Sequence, residues 1–295
     1  MYVYMMIKFL LCVLLGSLAA PGLSAQSVFL PGSLHPKAPA VPEYVVFAGD
    51  TVRFDRPDFY ERMDRELISF TYMHTNTTLV LKRSARYFKI VEPILEAQGV
   101  PDDFKYLMAI ESNLDPKAVS GAGAAGIWQI MKSTAQSHGL EVSSEVDERF
   151  NVEKETVAAC EYFKEAYEKF GDWITAAASY NAGQNGIARR VDSQRQSSAL
   201  ELWMPEETMR YIFRLFAAKM LFADPSAFGF DVTPADMYPY NPPRTVVTVS
   251  GPIPSLVDFA EEHGTTYKAV KEANPWLRSD KLTNKSGRTY RIAIP

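Results

Sequence analysis

The stretch PDDFKYLMAIESNLDPKAVSGAGAAGIWQIMK, Pro101 to Lys132, decides how the chain is read. Its first half has helical spacing: Phe104, Leu107 and Met108 form one apolar stripe, and the next position on that stripe is Glu111. A carboxylate there loses solvation, which disfavours its charged form and raises its pKa. It is a buried acid paired with an arginine such as Arg149, an acid at a helix end turned outward, or a general acid kept protonated near neutral pH. Position alone leaves all three open. The second half, Gly121-Ala-Gly123-Ala-Ala-Gly126, matches G-x-G-x-x-G, with Asp147 about twenty residues on. That fingerprint needs a preceding strand and a βαβ unit. Here a helix ending near Ser112 and the pair Asp115-Pro116 precede it, so no dinucleotide cofactor is expected. The glycines instead allow the backbone to pass close to an extended ligand beside Glu111.

Working outward, helices are expected over Asp58–Leu81 and Ser84–Ala97, the second ended by Gly99, and over Ile127–His138, stopped by Gly139. Asn151 caps a helix whose face reads Val157, Cys160, Phe163, Tyr167 and Phe170, ending at Gly171. Asp172 caps the next, with Trp173, Ala176, Ala177 and Tyr180 on its face. The polar run Asp192–Ser198 reads as a mobile loop, and a helix resumes over Glu206–Ala223 behind Pro205. Residues 229–244 hold four prolines without apolar period and read as a linker. Beyond it, strand Thr245–Val249, helices Pro254–His263 and Thr266–Asn274, and strand Thr289–Ile294 make a β-α-α-β module. The chain thus divides into a leader (1–25), an N-terminal extension (26–83), a helical body (84–228), the linker (229–244) and the module (245–295).

Composition limits what the chain does. With 31 Lys and Arg against 35 Asp and Glu, a net charge of −4 gives no positive field for nucleic acid. A hydrophobic content of 47% supplies a packed core. Met1–Ala25 combines Lys8, an apolar run Phe9–Leu15 too short to span a bilayer, and a small-residue cleavage site before Gln26; export is expected. Cys12 belongs to that leader, and Cys160 reads as a small buried hydrophobe. Four His, none paired at ligand spacing, give no metal site.

The string from Ala109 to Met131, together with Ala178-Ser-Tyr180-Asn181-Ala182-Gly183, Gly171-Asp172-Trp173, Trp203, Pro205-Glu206-Glu207-Thr208 and Tyr211, resembles the catalytic domain of family 1 lytic transglycosylases, especially the membrane-bound D type. The resemblance covers about Asp58 to Ala223. It implies a mainly α chain with a lysozyme-like helical catalytic domain that cleaves the β-1,4 bond between N-acetylmuramic acid and N-acetylglucosamine in peptidoglycan, leaving a 1,6-anhydro end. Glu111 aligns with the single catalytic acid. Ser112, Ser120, Gly126, Gln129 and Met131 align with motif and substrate-groove residues, Trp128 lines the groove, and Tyr180 and Asn181 align with a pair facing the acid. The tail resembles a LysM domain through Leu256, Phe259, Ala260, His263-Gly264-Thr265-Thr266, Val270, Asn274-Pro275, Leu282 and Ile294-Pro295. Its opening, Ser250–Pro254, departs from the usual Gly-Asp-Thr, so glycan binding and a structural role both stay open.

Most glycosidases use two carboxylates. Here no second acid is presented, and Asp115 falls beyond the helix end. One acid suffices if the substrate supplies the rest: its N-acetyl group stabilises charge at C1 and its own 6-hydroxyl attacks, an intramolecular step. Tyr180 is expected to hydrogen-bond Glu111, and Asn181 to hold the N-acetyl group. The expected partner is therefore the peptidoglycan glycan strand, in the periplasm, with no cofactor or metal; peripheral membrane association stays open. The alternatives are a hydrolytic muramidase and a non-catalytic peptidoglycan-binding protein.

Overall fold

The structure is a computed structural model and describes residues 37–295. The leader expected over Met1–Ala25 lies outside the described residues. As expected, the architecture is mainly α with a small strand-containing C-terminal module.

The described chain opens on a hairpin that the sequence reading missed: β1 (Tyr44–Phe47) pairs antiparallel with β2 (Asp50–Arg53) in the register Tyr44↔Arg53 to Phe47↔Asp50. Ala48 and Gly49, both at positive φ (52° and 95°), make the two-residue turn that suits the strand twist. Val45, Phe47 and Val52 point inward. Phe47 packs on Phe104 (5.8 Å) and Phe216 (5.7 Å), and Lys219 ties the Val46 carbonyl to Asp103.

Two long helices follow, α1 (Pro57–Tyr72) and α2 (His74–Gln98). The break falls at Met73, not between Leu81 and Ser84. Ser84 lies inside the helix, its hydroxyl donating back to the Leu81 carbonyl. α3 (Lys105–Ser112) is entered through a 3-10 turn and leaves through Asn113 and Leu114, both left-handed. The helix expected over Ile127–His138 shrinks to α4 (Lys132–Ser137). Gly126 and Gln129 are left-handed, so 118–131 becomes a loop closed by bridges Val119↔Ala125 and Ala125↔Ile130.

α5 (Val152–Phe170) and α6 (Trp173–Ala182) begin at their expected caps: Asn151 accepts the Lys154 amide, and Asp172 accepts those of Ile174 and Thr175. The buried face of α5 is rotated from the expected one, taking in Glu155, Thr156 and Ala159 while Tyr167 is exposed. α7 (Gln184–Gln194) carries helix into the run expected to be a mobile loop, and the Gln194 side chain holds both N and O of Trp203. α8 (Glu206–Ala223) packs along α1, where buried Glu66 receives Arg210 (2.7 Å) and Arg214 (3.1 Å). Phe163 on α5 centres the core, with Phe104 at 4.4 Å and Tyr180 at 5.0 Å. Cys160 is buried, its thiol pushed up to about 12 by desolvation. The proline-rich segment 229–244 is strapped to α2, where Tyr238 donates to the Lys82 carbonyl and Arg86 to that of Pro239.

The C-terminal module has β3 (Thr245–Val249) antiparallel to β4 (Tyr290–Ile294), with α9 (Leu256–Glu262) and α10 (Tyr267–Ala273) between them. Buried Asn274 ties α10 to the sheet through both sides of Ala293. The module packs directly on the body. Arg278 N donates to the Glu145 carbonyl, Asp147 N to that of Trp276, and Ala125, Val146 and Phe150 enter the module's own apolar core. Placing a carboxylate there leaves it without a partner. We expect the wild-type protein to unfold in one calorimetric transition, and Val146→Asp to cost about 3 kcal/mol and to split that transition in two.

Candidate active site

Glu111 stands in the last turn of α3, partly open to solvent. Its Oε1 accepts a hydrogen bond of 2.6 Å from the hydroxyl of Tyr211, a buried residue of α8. Desolvation pushes the Glu111 pKa up to about 7, with the charge of Glu207 acting the same way, against the lowering effects of the Tyr211 hydrogen bond and Arg214. At neutral pH this carboxyl is divided between its acid and its base form, which suits a group that must give and then take a proton. Burial and the nearby Glu111 charge hold the Tyr211 phenol well above its ordinary value, so it remains a donor.

One expected partnership is corrected, and one open alternative closes. Tyr180 does not bond Glu111; its hydroxyl donates to the Trp128 carbonyl at 2.8 Å, because α6 places it beneath the 118–131 loop. Arg149 does not pair with Glu111 either. It forks onto Asp147 (2.8 and 3.0 Å) and donates to the carbonyls of Gly123 and Ile130.

The loop's shape is fixed from below by a residue that the sequence reading passed over. Glu155, fully buried on α5, accepts the amides of Ile127 (2.8 Å) and Trp128 (3.0 Å). Burial raises its pKa well above normal, and those backbone donors pull against that rise. The signal was present: Glu155 lies one turn before Ala159 and two before Phe163, on the stripe that α5 buries. Gly126 must be glycine. At φ +88°, a Cβ built there would overlap the Arg149 carbonyl and the Glu155 carboxylate. Trp128, expected in the groove, is fully buried with its indole N–H on Thr156 Oγ1. Ser112 ties α3 to the loop by donating to the Ile127 carbonyl at 2.7 Å, and Ser120 accepts the Ala124 amide within its own turn.

A cavity of about 690 Å³ opens beside the loop. Of the residues singled out in the sequence, Gln129, Met131, Tyr180 and Asn181 line it, whereas Ser112, Ser120 and Gly126 do not. Glu111 is not itself on the lining, but its charge acts on Tyr180, which is. Gln129, left-handed at φ 56°, turns its amide back to the Ala118 and Gly126 carbonyls. Asn181 accepts from Thr208 Oγ1 through Oδ1, which aims its amide N–H pair away from that contact. Among the described residues no cluster of His, Cys, Asp and Glu could hold a metal ion, and no helix is long and apolar enough to cross a membrane.

Residues 92–202 match the transglycosylase SLT domain family, and residues 245–295 match the soluble lytic transglycosylase C-terminal LysM-like domain family. Membrane-bound lytic murein transglycosylase D of Escherichia coli (strain K12) is 26% identical over 257 residues, covering 84% of this chain and 55% of that protein. The chain therefore spans about half the length of that relative. A transglycosylase of Enterobacteria phage PRD1 is 28% identical over 61% of this chain and 64% of its own. Among solved structures, the 70 kDa soluble lytic transglycosylase of Escherichia coli aligns at TM-score 0.42 and 16% identity, over 61% of this chain and 33% of that one. The chain thus joins a transglycosylase SLT domain, whose matched span contains Glu111 and its loop, to a LysM-like C-terminal domain.

Proposed function

We propose that the protein is a lytic transglycosylase that cleaves the β-1,4 bond between N-acetylmuramic acid and N-acetylglucosamine in peptidoglycan and leaves 1,6-anhydro ends. The observation that carries this reading is Glu111, a carboxyl of the matched domain that is displaced to about 7, is held by the Tyr211 hydroxyl, and acts by its charge on Tyr180 in the lining of a cavity large enough for sugar rings. In the first step the Glu111 acid protonates the leaving O4 as the C1–O4 bond breaks, and the substrate's N-acetyl oxygen stabilises C1. In the second, the Glu111 carboxylate takes the proton of the 6-hydroxyl as O6 bonds to C1. The proton count closes with Glu111 restored and no water consumed. Asn181, fixed by Thr208, offers its amide to the N-acetyl group. The Met1–Ala25 leader supports export to the periplasm, where such a substrate lies. Borohydride tests the reading on digested sacculi. New ends that resist reduction support it, and reducible ends point to a muramidase.

The first step needs the acid form, so kcat/KM should fall about tenfold per pH unit above about 7. Tyr211→Phe removes a bond that stabilises the charged carboxylate, so its falling limb should move to higher pH, by about one unit or less. A limb that moves down, or stays fixed, in a pH–rate profile contradicts that role for Tyr211.

A further inference from the structure

A second cavity, of about 350 Å³, lies on the seam between the body and the C-terminal module. Lys117 and Val119 come from the loop after α3, Phe150 from the turn before α5, and Lys271, Leu277 and Arg278 from the module. Three cations line it and no acid does. Lys271 donates to the carbonyls of Leu277 and Ser279 and Arg278 to that of Pro275, contacts that leave their charges unneutralised. The Arg278 guanidinium of the module sits over the Phe150 ring of the body, 4.3 Å from its centroid. Burial first and then the charge of Arg278 lower the Lys271 pKa, with the charge of Asp280 pulling the other way. Val119 is 62% exposed and gives the cavity an apolar side.

One hydrogen bond links the residues around this cavity to those around the larger one. Ala118, between Lys117 and Val119, has its carbonyl held by Gln129, which lines the larger cavity. The glycan backbone of peptidoglycan is close to uncharged, whereas the short peptides it bears end in free carboxylates.

Resting on the function proposed above, we propose that the seam cavity binds a carboxylate of the substrate's stem peptide, so that both domains together read the peptide as well as the glycan. Lys117 and Arg278 supply charge-assisted hydrogen bonds, and Phe150 and Val119 take the peptide's methyl groups.

The test compares intact peptidoglycan with the same strands stripped of peptide by an amidase, using the double variant Lys117→Gln, Arg278→Gln and the charge-preserving Lys117→Arg, Arg278→Lys. For the glutamine variant kcat/KM should fall about tenfold on peptide-bearing substrate, through KM, and stay within about twofold on stripped strands. The charge-preserving pair should recover most of the loss. Equal losses on both substrates, or no loss on the peptide-bearing one, overturn the proposal. NMR titration with the free stem tetrapeptide gives a readout without turnover. Saturable shifts at the Lys117–Ser120 and Arg278 amides, lost in the glutamine variant and with a carboxyl-amidated peptide, support the site. Absence of such shifts in the wild-type protein overturns it. Wild-type protein inactive on both substrates would remove the transglycosylase reading, and the titration would still decide the site.

Discussion

Glu111→Gln is expected to lower kcat by about 10³-fold or more while the fold persists. Glutamine keeps the shape and still offers an oxygen to the Tyr211 hydroxyl, so the 2.6 Å contact has a successor. What it lacks is a transferable proton, and one carboxyl serves both steps, so both fail together. The same substitution should stabilise the protein in alkali. The native pKa of about 7 is raised above the ordinary 4.5. Stability linked to the protonated form is therefore full below about 4.5 and is lost as pH rises through about 7. Above that, the wild-type protein holds an ionised, poorly solvated carboxylate that the variant lacks. Glu111→Gln should melt a few degrees higher at pH 8, about 2–4 °C per kcal/mol relieved, with the gap closing at pH 4. An active variant, or one destabilised at pH 8, contradicts the assignment of Glu111.

Gly126→Ala should give the largest loss of stability among single substitutions of the loop. Two costs combine there: a left-handed backbone at φ +88°, and a methyl group driven into the Arg149 carbonyl and the buried Glu155 carboxylate. Neither neighbour can yield, because Arg149 heads the α5 cap region and Glu155 is bound to Ile127 and Trp128. Gly123→Ala is the control, since Gly123 shares the conformation (φ +87°) but a Cβ there meets nothing within 4 Å. Denaturant unfolding should show about 1 kcal/mol lost at Gly123 and about 3 kcal/mol or more at Gly126. Similar losses at both positions would mean that the close approach does not matter.

The contrast between these glycines shows where the sequence was readable. Local signals carried well: the caps at Asn151 and Asp172 each start their helix, and the β-α-α-β order of the module follows from alternation and period. Glu111 was legible because a carboxylate on an apolar stripe is a local anomaly. What failed was decided between distant segments. Ile127–Met131 has helical composition, yet left-handed Gly126 and Gln129 and the Ala125↔Ile130 bridge turn it into a loop, which the distant Glu155 carboxylate pins through the amides of Ile127 and Trp128. Tyr180 and Tyr211 look alike as core aromatics; only the approach of α8 to α3 decides which reaches Glu111. The Ala48-Gly49 hairpin hid in a proline-rich lead because its strands are only four residues long. The seam cavity had no sequence signature, since Lys117 and Arg278 are ordinary surface cations until the module docks.

The central claim is that the bond is broken by the substrate's own hydroxyl and not by water. Digestion of purified peptidoglycan in water enriched in heavy oxygen, followed by mass spectrometry of the released fragments, tests it directly. The account predicts fragments one water lighter than hydrolysis products and free of heavy oxygen; fragments of hydrolysed mass carrying the label would contradict it.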